Sequence, residues 1–129
     1  MAPDSRRIAH ERLAALTDTL PANGDMAASR LGGDVVLLGR LLAAAAAGRN
    51  DADQSPEILP DDVGAALGLF EDMRVQLDRL ETQVVIEARR LGMDWRLIAQ
   101  HQGLNSSQAA SQRYQRLMTR LEEIRQGIR

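Results

Sequence analysis

With 129 residues, 16 basic against 18 acidic side chains and no cysteine, the chain has room for one domain with a real core, or a small domain plus an arm. Disulfides and thiolate metal sites are excluded, which fits a cytoplasmic setting. β-branched and aromatic residues are sparse while Ala, Leu, Arg and Gln are abundant, so an all-α helical bundle is expected.

At the N-terminus, Pro3, Asp4, Arg6 and Arg7 are polar and leave no secretory h-region. Asp4 can cap a first helix whose narrow apolar stripe is Ala9, Leu13, Leu16 and Leu20, with Pro21 ending it. A turn over residues 21–24 follows, and Asp25 can start a second helix carrying Met26, Leu31, Val35, Leu38 and Leu42. Gly32-Gly33 lies inside it at a cost of about 1 kcal/mol per glycine relative to alanine. Either the helix breaks there, with Asp34 recapping, or another helix crosses closely. The most apolar run, residues 35–47, contains Arg40 and is too short to span a bilayer, so no membrane partner is expected. Residues 1–48 therefore read as an N-terminal helical pair, for dimerisation or for docking a second protein.

Residues 49–60 are polar, acidic and proline-punctuated, and read as a linker. Beyond it, residues 61–129 form the expected functional domain. Asp61 or Asp62 opens a long helix reaching about Leu91, on which Phe70, Met73, Leu77, Leu80, Val84 and Leu91 keep a three–four alternation broken once, by Glu87. Such a stripe suits coiled-coil-like pairing or an amphipathic helix on a globular core. Arg89 and Arg90 in its last turn and Gly92 beyond it are what a helix C-terminus prefers.

Residues 94–114 then read DWRLIAQHQGLNSSQAASQRY. Trp95, Ile98 and Ala99 share one face of a short helix, with Asp94 placed to cap it and Trp95 expected in the core. Gly103 permits the positive φ of a tight turn, and Leu104 follows as a buried peg. Residues 105–108 offer a fresh N-cap, with Gln108 at the third helical position as in a capping box. A final helix starts near Ser106. Ala110, Tyr114, Leu117, Leu121, Ile124 and Ile128 fall on its buried side, with Gln108, Gln112, Gln115, Arg116 and Thr119 opposite.

The phrase carried by Asp94, Trp95, Ile98, Ala99, Gly103, Leu104, Gln108 to Ala110 and Gln112 to Tyr114 resembles bacterial helix-turn-helix transcriptional regulators. The resemblance covers about residues 81–117. In that pattern the small Ala99 lets two helices approach and Gly103 makes the turn. Gln102 departs from it, standing where an apolar residue is usual, and the turn at 104–107 is one residue longer than the tightest versions. The resemblance implies a sequence-specific binder of double-stranded DNA whose final helix enters the major groove.

Position and chemistry then assign roles. Gln108, Gln112 and Arg116 carry the amides and the guanidinium that read adenine and guanine edges. Arg96, Ser106, Ser107 and Arg113 lie where phosphates meet a helix N-terminus. Charge is segregated accordingly, with 8 Arg against 14 acids in residues 1–85 and 8 Arg against 4 acids in residues 86–129. The apolar stripes exceed what one small core consumes, so a homodimer reading an inverted repeat is expected, with the 62–91 helix the favoured interface. No enzyme, metal or cofactor is expected. His10 and His101 are far apart, and no phosphate loop or nucleophile motif occurs. The alternative is a helical protein–protein interaction module, antitoxin-like or anti-regulator, whose helix pair contacts a protein.

Overall fold

The computed structural model describes residues 3–20, 24–50 and 57–127. Every regular element among them is helical: α1 (Pro3–Thr17), α2 (Met26–Asn50), α3 (Pro60–Arg90), α4 (Trp95–Gln102) and α5 (Ser107–Arg125). The all-α expectation holds. Three expectations lie wholly or partly outside the described residues: the turn at 21–24 (residues 21–23), the linker at 49–60 (residues 51–56), and Ile128.

α1 opens on Pro3, whose missing N–H is no loss in a first turn. Asp4 therefore sits inside that turn, favourable to the helix dipole, and does not cap the helix as its sequence position suggests. The stripe of α1 is not buried against any described residue: Leu13, Leu16 and Leu20 are exposed, as is every other described side chain between residues 4 and 20.

Asp25 starts α2, accepting from the Ala27 N–H at 2.7 Å. The helix then runs unbroken through Gly32-Gly33. Neither expected reason for the glycines holds, because a methyl group at either would meet nothing within 4 Å. Leu31, Asp34, Leu38 and Leu41 recur at helical spacing and are half-buried, which holds α2 along α3 without help from the glycines. Because the helix does not break and extends to Asn50, it is long and apolar enough by length and composition to cross a membrane. Contrary to expectation, its length does not exclude a span. In this fold the helix lies on α3, with Arg30 paired to Asp72 at 2.8 Å.

α3 begins at Pro60, and Asp62 reaches back to accept the Leu59 N–H at 2.8 Å. It ends in a left-handed Gly92 (φ +86°), with the Gly92 N–H bonded to Arg89 O and the Met93 N–H to Ala88 O, both 3.0 Å. Its buried residues are Val75, Gln76, Thr82 and Val85. Of the stripe marked by the three–four alternation, Phe70, Leu77, Val84 and Leu91 are exposed and Met73 and Leu80 are half-buried, so the most buried side of α3 is not that stripe. Val75 and Thr82, seven residues apart on the other side, take the packing of α2 and α5. The buried polar groups are satisfied locally: Thr82 Oγ1 donates to Asp78 O at 2.8 Å and Gln76 Nε2 to Asp72 Oδ1 at 3.3 Å.

The tightest packing lies where α4 and α5 meet the end of α3. Ile98, Ala99 and Ala110 are buried together, ringed by Ala88, Met93, Trp95 and Leu104. Two alanines at this contact bring the helices close, as Ala99 was expected to do.

Candidate nucleic-acid interface

The α4–turn–α5 segment is built from local signals. Asp94 Oδ1 accepts the Leu97 N–H at 2.8 Å and caps α4. Gly103 ends it in the left-handed region (φ +73°), a conformation an L side chain adopts poorly. The Leu104 N–H then bonds Ala99 O at 2.8 Å, turning the Leu104 side chain back toward the core. Ser106 caps α5, its Oγ accepting the Ala109 N–H at 3.1 Å. The helix therefore starts one residue later than a capping box through Gln108 requires. Gln108 is the second helical residue and its amide stays exposed.

Trp95 packs on this core but is only half-buried. Its ring meets that of Tyr114 with centroids 5.6 Å apart and planes tilted by 43°, and the Arg89 guanidinium lies over its face at 5.0 Å. The expected buried side of α5 is present: Ala110 and Leu117 are buried, and Tyr114, Leu121 and Ile124 are half-buried.

On the outward side, Gln108, Gln112 and Arg116 are all exposed and form one row at spacings of four. None of them, nor Arg96 on α4, has a side-chain hydrogen bond or ion pair among the described residues. Ser107 is exposed beside the cap, while the Ser106 hydroxyl is already committed to the helix backbone.

Arg113 is placed differently. It turns toward α3 and holds Glu81 with two nitrogens, Nε to Oε2 at 2.5 Å and Nη2 to Oε1 at 2.7 Å. That hydrogen-bonded pairing pushes the Arg113 pKa above its ordinary value. A phosphate at Arg113 would have to compete with a carboxylate already in a fork geometry. Two turns further on, Arg120 donates to Glu71 at 2.9 Å and lies 3.8 Å from Asp78. The charge segregation seen along the chain is thus partly cancelled by folding, because α3 brings three acids against the arginines of α5. This cross-helix pairing has no signature in the spacing of the charged residues along the chain. Among the described arginines of α4 and α5, Arg96 and Arg116 have no carboxylate partner.

Gln102, the departure from the family pattern, is explained by the same cluster. Its Nε2 donates to Glu81 Oε2 at 3.4 Å, so an amide is accommodated where an apolar side chain is usual. Its Oε1 is buried with no donor. Among the described residues, no group of three or more His, Asp or Glu side chains is gathered as a metal site.

Compared with protein-family models, with curated proteins and with solved structures, the chain matches none. No relative supports the helix-turn-helix expectation, which rests on the sequence pattern of about residues 81–117.

Proposed function

We propose that the chain binds double-stranded DNA as a transcriptional regulator, entering the major groove with the N-terminal half of α5. The observation that carries this reading is the exposed, unpaired row of Gln108, Gln112 and Arg116 on a helix that is capped by Ser106 and preceded by the Gly103 turn. Side-chain amides and a guanidinium are the groups that pair bidentately with adenine and guanine. Arg96 and the free N–H groups beside Ser106 and Ser107 take phosphates, with Arg113 contributing only where Glu81 releases it. Glu122 and Glu123 end the DNA-facing part near Thr119, since carboxylates repel phosphate.

Few free cations make a specific prediction about salt. Each neutralised phosphate contributes a slope of about −0.9 in log K against log salt. With Arg96, Arg116 and a helix N-terminus, the slope should be about −2 to −3 per copy. The test is a salt titration of binding to genomic DNA fragments. Absence of binding at 50 mM salt overturns the reading.

The second reading, a helical protein-interaction module, is favoured by one observation. The arginines that would have made α5 strongly basic, Arg113 and Arg120, are neutralised within the chain, which is what a surface meeting protein tolerates best.

A further inference from the structure

α3 carries a second apolar row that the single chain covers only in part, with Ala66, Met73 and Leu80 half-buried and the row residues between them exposed. Numbered by heptads, Val63, Ala66, Phe70, Met73, Leu77, Leu80, Val84, Glu87 and Leu91 occupy successive core positions at alternating steps of three and four. Val75 and Thr82 stand at the position diametrically opposite, normally the most solvated in a coiled coil. Here they are buried, at 8% and 5% exposure, whereas Val63, Phe70, Leu77, Val84 and Leu91 are 45%, 40%, 55%, 68% and 67% exposed. Glu87 is the one charge in the row, and Arg90 on the same helix pairs with it. Toward its C-terminal half the row becomes one wall of a groove of ≈ 820 Å³, with Ile98, Gln102 and Leu104 across from it. For a helix about 10 Å wide, that volume holds about two turns.

We propose that a second copy of the chain docks along this row, α3 against α3, with the helix of each copy entering the groove of the other. The register argues for a copy of the same helix. A two-fold contact needs a patch complementary to itself, and a 3.5-residue stripe is complementary to another such stripe. The extent argues for it too. From Val63 to Leu91 the row runs about 42 Å, whereas the part of the α1 stripe inside the helix, from Ala9 to Leu16, spans about 11 Å and covers about a quarter of it. The five exposed side chains offer about 250 Å² of apolar surface per copy, taking about 60–120 Å² for a whole Val, Leu or Phe side chain. To reach the ≈ 800 Å² per partner of a stable interface, the contact must also cover the bordering polar residues and the groove walls along those 42 Å. The bordering charges, Arg74, Glu81 and Arg90, are of mixed sign, so no block of like charge opposes the approach. This association is independent of the DNA reading and needs no DNA for its test.

The test is the mass of the full chain by sedimentation equilibrium between 1 and 100 μM. The expected result is twice the 14.2 kDa of one chain, with Leu77→Arg/Val84→Arg weakening association at least 100-fold. Helix content and cooperative unfolding should survive, because both side chains are exposed in the single chain. Should the arginines disturb folding, Leu77→Gln/Val84→Gln gives the same measurement with smaller change. Leu13→Arg/Leu16→Arg, on α1, should leave the mass unchanged. A wild-type monomer at 100 μM overturns the proposal. So does a dimer that survives the α3 substitutions, or one that the α1 substitutions dissociate.

Discussion

Arg113 of α5 grips Glu81 of α3 across 32 residues of chain, with two of its nitrogens on the two carboxylate oxygens. This ties the orientation of α5 to the long helix, and with it the row of Gln108, Gln112 and Arg116. Charge-assisted hydrogen bonds contribute about 1.5–3 kcal/mol when desolvated. The Arg113 side chain is 44% exposed, so solvent screening lowers that figure. Arg113→Ala should cost about 1–2 kcal/mol in urea unfolding, and most of this should disappear in an Arg113→Ala/Glu81→Gln cycle. An unchanged midpoint, with DNA affinity reduced equally on all sequences, would return Arg113 to the phosphate.

Arg116→Ala should behave in the opposite way. The side chain is exposed and unpaired, so stability should stay within about 0.5 kcal/mol of wild type. Binding to a selected site should fall by about 1–3 kcal/mol, mostly at one base pair. Binding curves on that site and on single-base variants read the difference. A uniform loss on every variant shows that the row does not read bases.

Trp95→Ala should destabilise by about 3 kcal/mol, the low end for truncating a large aromatic, because the ring is only half-buried. It loses the Tyr114 contact and leaves Arg89 without its aromatic partner. Near-ultraviolet circular dichroism should lose its ordered aromatic signal while most helix content stays. A variant with wild-type stability and no DNA binding identifies Trp95 as a contact residue instead.

Gly32→Ala and Gly33→Ala should each stabilise the chain, by about 0.5–1 kcal/mol, since both positions are helical and open around the missing Cβ. Thermal unfolding of the single and double variants measures it. Destabilisation by either alanine reveals a close neighbour at the glycines that the single chain lacks.

Local signals were the most legible part of the sequence. Asp25, Asp94 and Gly103 each bring their own backbone consequence, and each was readable without tertiary context. The capping register at Ser106 was missed by one residue, because Asn105 and Ser106 are both good caps and only the turn geometry chooses. The buried side of α3 was less legible. A three–four alternation shows that a helix has an apolar stripe, not which neighbour takes it, and Gln76 and Thr82 look solvated until their local partners are seen. The Glu81–Arg113 and Glu71–Arg120 pairs were invisible, since nothing in the spacing of α3 and α5 fixes how the two helices slide past one another.

α1 stands outside all of these contacts. A 15-residue helix whose described side chains are all exposed has little beyond backbone propensity and the exposed Arg7–Glu11 pair to hold it, and helices that short are marginal in water. Its amides should therefore exchange hydrogen close to the rate of a fraying peptide, while those around Ile98, Ala99 and Ala110 wait for global opening. The chain thus opens in steps. Its first helix can form and melt many times during one lifetime of the fold, and any partner that captures it does so by coupled folding and binding.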